Sequence, residues 1–160
     1  MMGALLRRGA LGAGMAATLA LPLGAAAAAQ TDCRGAPGEV RLMLTIAGVR
    51  AAAGVITVTV YPDDPARFLA PRGKVARLRV PAARPATVAC LAVPAAGAYA
   101  LAIYHDEDGD RKFTRSAVGL PAEGYGFSND ASTLLGPPSF AAARFVARAG
   151  DNPMAITLKY

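Results

Sequence analysis

The run Ala98-Tyr99-Ala100-Leu101-Ala102-Ile103-Tyr104 alternates bulky apolar side chains with alanine. Successive side chains of an extended chain point to opposite faces, so this period of two gathers Tyr99, Leu101 and Ile103 on one face. A helix would need its apolar positions three and four apart. The run therefore reads as a strand with one buried face. The same period recurs on both sides of it. Residues 40–47 group Leu42, Leu44 and Ile46, and residues 55–61 turn Ile56, Val58 and Val60 inward against Thr57 and Thr59. Residues 75–80 oppose Leu78 and Val80 to Arg77 and Arg79, and residues 87–93 carry Cys90. Residues 143–148 repeat the pattern weakly, and residues 154–160 align Met154, Ile156, Leu158 and Tyr160. Turn sequences separate these segments, among them Gly54, Pro62-Asp63-Asp64-Pro65, Pro94-Ala95-Ala96-Gly97 and Gly150-Asp151-Asn152-Pro153. About seven short strands with Pro/Gly turns and no long helical pattern predict an all-β, antiparallel sandwich.

One stretch breaks the rhythm. From His105 to Phe140 the chain has little strand pattern and is rich in Asp, Gly, Pro and aromatic residues. A connection that long in a compact domain is either a functional loop or an ordered cover over one end of the sandwich.

At 160 residues the chain suits one domain. Residues 1–29 have the form of a signal peptide. Arg7 and Arg8 precede an apolar segment, and Ala25 to Ala29 supply the small residues of a cleavage site near Ala29. The domain then comprises residues 30–160, in a periplasmic or secreted protein. No later apolar run is long enough to predict a transmembrane helix. Loss of Arg7 and Arg8 lowers the net charge from +6 to about +4. No Lys/Arg block is dense enough to predict nucleic-acid binding. Arg77 and Arg79 share a strand face, which reads as a solvated face or as a patch for an anionic partner. The two cysteines, Cys33 and Cys90, predict one disulfide in an oxidising compartment.

The acidic turn His105-Asp106-Glu107-Asp108-Gly109-Asp110 is followed by Glu123-Gly124-Tyr125-Gly126-Phe127-Ser128-Asn129 and then by Gly136-Pro137-Pro138-Ser139-Phe140. Taken in that order, these motifs resemble an uncharacterised family of exported bacterial proteins, the domain of unknown function 2141. The resemblance covers nearly the whole chain after residue 29, and the Glu123–Asn129 motif is its most specific part. It implies a small immunoglobulin-like or transthyretin-like β-domain in the cell envelope. It implies no activity.

Asp106, Asp108 and Asp110 fall at i, i+2 and i+4, the spacing by which calcium loops aim alternate oxygens at one point. Four acids within five residues also repel one another, which a cation would relieve. Against calcium, Arg111 stands where an EF-hand has glycine, and Ala117 stands at its twelfth position, so Glu123 would serve only if the loop folds back. Asp-Gly-Asp is equally an ordinary turn. His105, the only histidine, reads as structural or as the base of a hydrolase, although no serine lies in a GxSxG context. Tyr125 and Phe127, with Glu123, His105 and Asn129 around them, read as a ligand-binding group for a glycan or an envelope protein. The rings read equally as a plug closing the sandwich. Three functions follow: a non-enzymatic binding or assembly sandwich, a calcium-stabilised module, and a hydrolase centred on His105.

Overall fold

The structure is a computed structural model that describes Cys33 and residues 39–160. The signal-peptide segment, residues 1–29, lies outside the described residues. Eight strands follow in chain order: β1 Val40–Ala47, β2 Val55–Pro62, β3 Ala76–Pro81, β4 Ala86–Val93, β5 Gly97–Asp106, β6 Tyr125–Phe127, β7 Arg144–Ala147 and β8 Gly150–Thr157. A one-turn helix, α1 Phe140–Ala143, precedes β7. The strands form two sheets, one ordered β4-β1-β8 and one ordered β3-β2-β5-β6, with β7 also on β5. This is the all-β sandwich that the alternation predicts.

The core lies between the sheets. Val40, Leu42, Leu44, Ile46, Leu91 and Ile156 from the first sheet meet Ile56, Val58, Val60, Leu78, Leu101 and Ile103 from the second. Each set comes from alternate positions of its strand, so one face of each sheet is removed from water. Cys33 and Cys90 form the expected disulfide, with Cα atoms 4.6 Å apart.

Three features depart from the sequence reading. First, β1 and β8 run parallel, whereas every other pair is antiparallel. Second, β8 begins at Gly150, not at Met154, and runs through Pro153. It is the edge of its sheet, where proline removes no needed ladder bond. The turn falls earlier, where the Asn152 side chain accepts from the Arg148 N–H and donates to the Arg148 carbonyl, both at 2.8 Å. Third, residues 105–140 are not strandless, because they contain β6.

That segment folds back over the outer face of the five-stranded sheet. Thr57 and Thr59 do point away from the core, yet both are buried. Beneath the fold-back is a second apolar cluster of Ala100, Phe127, Ala131, Phe140 and Ala143, with Phe68 packed against it. Phe68 meets Tyr61, Phe127 and Phe140 edge-on at 5.4–6.2 Å. Ser128 fills the gap between β6 and β7 along the edge of β5. Its Oγ accepts from the Leu101 N–H at 2.9 Å and donates to the Ala143 carbonyl.

Candidate functional site

The outer face of β5 leads to the site. Ala100, Ala102 and Tyr104 alternate with the core residues, and Asp106 continues their face at the strand end. Gly54 admits this end closely: it has φ +66°, and a Cβ there would fall on the Asp106 carbonyl oxygen. Beyond Asp106 the chain makes a compact acidic loop. The Arg111 N–H donates to Asp106 Oδ2 at 3.0 Å, the Asp110 N–H to Asp108 Oδ1 at 3.0 Å, and the Lys112 N–H to Asp110 Oδ1 at 2.7 Å. Arg111 takes φ +67°, the left-handed conformation for which a calcium loop uses glycine.

The loop then returns. Glu123 lies two residues before β6 and is only 5% exposed. Its Oε2 accepts from the Thr114 N–H at 3.0 Å. One oxygen each from Asp106, Asp108 and Glu123 lie within 4.8 Å of one another. Asp110 lies outside that group. Asp106 Oδ1 and Glu123 Oε1 are buried without a hydrogen-bond partner. Burial pushes the Glu123 pKa up; the Thr114 N–H partly offsets this, and the charges of Asp106, Asp108 and Asp110 push it further up.

The same loop walls a cleft of about 600 Å³ against the outer sheet face. Tyr61, Tyr104, Phe113, Tyr125 and Phe127 line it, with Arg77 and Arg115. Phe113 stands edge-on between Tyr104 and Tyr125, 5.8 Å from each ring. Arg77 donates from Nε to Thr59 Oγ1 at 3.0 Å, and Arg115 lies 5.4 Å over the Phe113 ring. Neither guanidinium belongs to an ion pair among the described residues. Leu134 lines the far wall while 93% exposed.

The predicted ligand residues therefore separate. Tyr125 and Phe127 share the cleft, and Phe127 with Phe140 also belongs to the apolar plug. Asn129 lies outside it. At φ +62° it donates to the Ala142 and Arg144 carbonyls at 3.1 and 2.9 Å, holding the end of α1. His105 points into the opposite, core face and is fully buried. Its Nε2 lies 2.8 Å from the Ala53 carbonyl, which can only accept, so Nε2 carries the proton. Nδ1 lies 2.8 Å from the Tyr160 hydroxyl and 3.5 Å from Glu107 Oε1. Gly124 leaves space for that tyrosine, because a Cβ there would lie only 2.3 Å from the ring. Phe113 and Arg115 are not ligand residues by sequence, whereas Arg77 is the half of the Arg77–Arg79 patch that lines the cleft. A lone aromatic in the acidic loop was the available signal for Phe113.

A family described as an uncharacterised protein conserved in bacteria, DUF2141, matches residues 44–155. The chain belongs to the DUF2141 family. The match begins within β1 and ends within β8, so the DUF2141 region includes the acidic loop, the cleft, the outer apolar cluster and all of the main core except Val40, Leu42, Ile156 and Leu158. Comparison with curated proteins and with solved structures finds no match.

Proposed function

We propose that this protein is an exported, non-enzymatic binding domain whose ligand is a small amphipathic anion: a flat apolar body bearing one acidic group. The observation that carries this reading is the cleft, where five aromatic rings and two guanidiniums without carboxylate partners face one space of about 600 Å³. That volume is within the usual range for a small-molecule site. Rings standing edge to face offer flat apolar walls, and an arginine fork recognises carboxylate or sulfonate. Two features support binding over hydrolysis. Both His105 nitrogens are engaged inside the fold, and neither contacts a serine. Export is supported by the pattern of residues 1–29.

The test uses two fluorescent probes of one shape, anilinonaphthalene sulfonate and its neutral counterpart phenylnaphthylamine. The folded domain should prefer the sulfonate, and the Arg77→Ala, Arg115→Ala pair should remove about tenfold in affinity, roughly 1.4 kcal/mol, for that probe alone. Equal affinity for both probes, or no effect of the pair, overturns the reading. N-terminal sequencing of protein recovered from a cell envelope fraction checks the export step, with a new terminus near residue 30 expected.

A further inference from the structure

We infer that Asp106, Asp108 and Glu123 form a calcium site that fastens the two ends of the cleft wall together. Two carboxylate oxygens of this loop are buried without a partner. Asp106 is fully buried and Glu123 nearly so, and each carries one carboxylate oxygen with no donor. A buried carboxylate oxygen without a partner is costly, and a native fold rarely leaves one on each of two neighbouring carboxylates. A positive charge between them resolves both. Among the described residues no side-chain cation does so: the ion pairs place Arg50 on Glu107 and leave Asp106 and Glu123 unpaired.

The donor set selects the ion. All three ligands are carboxylates, which favours a hard cation over zinc or copper. Their oxygens lie within 4.8 Å of one another, which fits ligands around a centre at the calcium–oxygen distance of about 2.3–2.6 Å. The backbone turns of residues 106–112 already hold the remaining Asp106 oxygen and the Asp108 oxygen on N–H groups, so the loop is shaped before any ion arrives. Asp108 is exposed and opens the site to solvent.

The position gives the ion a task. Asp106 ends β5 and Glu123 precedes β6, so the ion would clip together the ends of the intervening loop. That loop carries Phe113, Arg115, Leu120 and Pro121 of the cleft wall. The coupling to ligand binding rests on the proposed function; cation binding itself does not.

Calorimetric titration of the chelator-treated full-length mature protein with calcium chloride, and separately with magnesium chloride, tests the site. One calcium per chain is expected, with a higher melting temperature and magnesium binding at least about tenfold weaker. Glu123→Gln and Asp108→Asn should each weaken calcium by about tenfold or more. Glu107→Gln removes a neighbouring acid that pairs with Arg50 and should leave affinity unchanged. Asp108 is exposed, so its variant keeps the test valid should a buried substitution misfold. Absence of calcium heat at millimolar concentration overturns the inference, as does equal loss in the Glu107 variant or equal affinity for magnesium. The sulfonate probe is titrated with calcium and with chelator. Calcium heat without probe binding sinks the cleft reading alone; probe binding without calcium heat sinks the ion alone.

Discussion

Glu123 has one oxygen on the Thr114 N–H and the other buried with no donor, and one of its oxygens lies within 4.8 Å of one each from Asp106 and Asp108. Burial first, then the neighbouring acids, raise its pKa. A raised carboxyl pKa contributes stability below its ordinary value near 4 and loses it as pH rises through the folded value. In chelator, Glu123→Gln should therefore stabilise the domain at neutral pH, by about 1 kcal/mol, because it removes a buried charge and aims an amide donor at Asp106. In excess calcium the same substitution should destabilise it, since at about 100-fold excess over Kd an ion contributes about 2.7 kcal/mol. Denaturation midpoints in the two buffers should change sign, and one sign in both sinks the argument. Asp63 behaves oppositely. Arg144 donates to both its oxygens at 2.8 and 2.9 Å and holds its pKa down. Its contribution is present above the ordinary carboxyl range and lost as pH falls through the lowered value. Asp63→Asn should flatten the acid limb of a stability-against-pH curve below about pH 4, and an unchanged limb would show that the pair is idle. Spacing singles out Asp106, Asp108 and Asp110 together, of which the structure brings Asp106 and Asp108 beside Glu123 and leaves Asp110 outside the group. Glu123 was legible only as a conditional member, because its place depends on the loop closing, which no local pattern encodes.

At the scale of elements, β5 was the most legible because its two faces differ so sharply in size. Leu101 is fully buried at its centre, so Leu101→Ala should cost about 2–5 kcal/mol by denaturant unfolding. A loss near zero would mean that the site collapses without a cavity. β6 was not legible, since Gly124 and Gly126 beside and within it lower strand propensity. Tertiary contacts hold it instead: Tyr125 exchanges both backbone hydrogen bonds with Lys159, at 2.8 and 2.9 Å, and the Tyr160 ring occupies the space over Gly124. Gly124→Ala should displace the C-terminal residues and cost about 1–3 kcal/mol, with the Tyr160–His105 hydrogen bond lost from the histidine NMR spectrum. An unchanged histidine signal would refute this account of the glycine. The threonines of β2 show the same limit. Alternation placed Thr57 and Thr59 on the outer face, but it does not reveal a further layer of chain above that face.

Residues 105–140 add a third layer to the sandwich, on the outer face of the five-stranded sheet. The disulfide and the cleft lie on opposite sides of the sandwich. Cys90 alternates with the core residues Ala89 and Leu91, so it faces outward from the three-stranded sheet, whereas the cleft lies outside the five-stranded sheet. Energetic effects at such separated places should add independently. The bond closes a segment of 57 residues in sequence, for which chain entropy gives about 4 kcal/mol, acting on the unfolded state. Replacing Cys33 and Cys90 by serine should lower the unfolding free energy by up to that amount and steepen the denaturant slope, because the unfolded chain without the bond is less compact. Affinity for the sulfonate probe and for calcium should stay as in the parent, measured well below the new midpoint. A loss of either affinity in protein that is still folded would mean that the sheets transmit strain across the core. The cleft would then belong to the sandwich as a whole and not to the loop that roofs it.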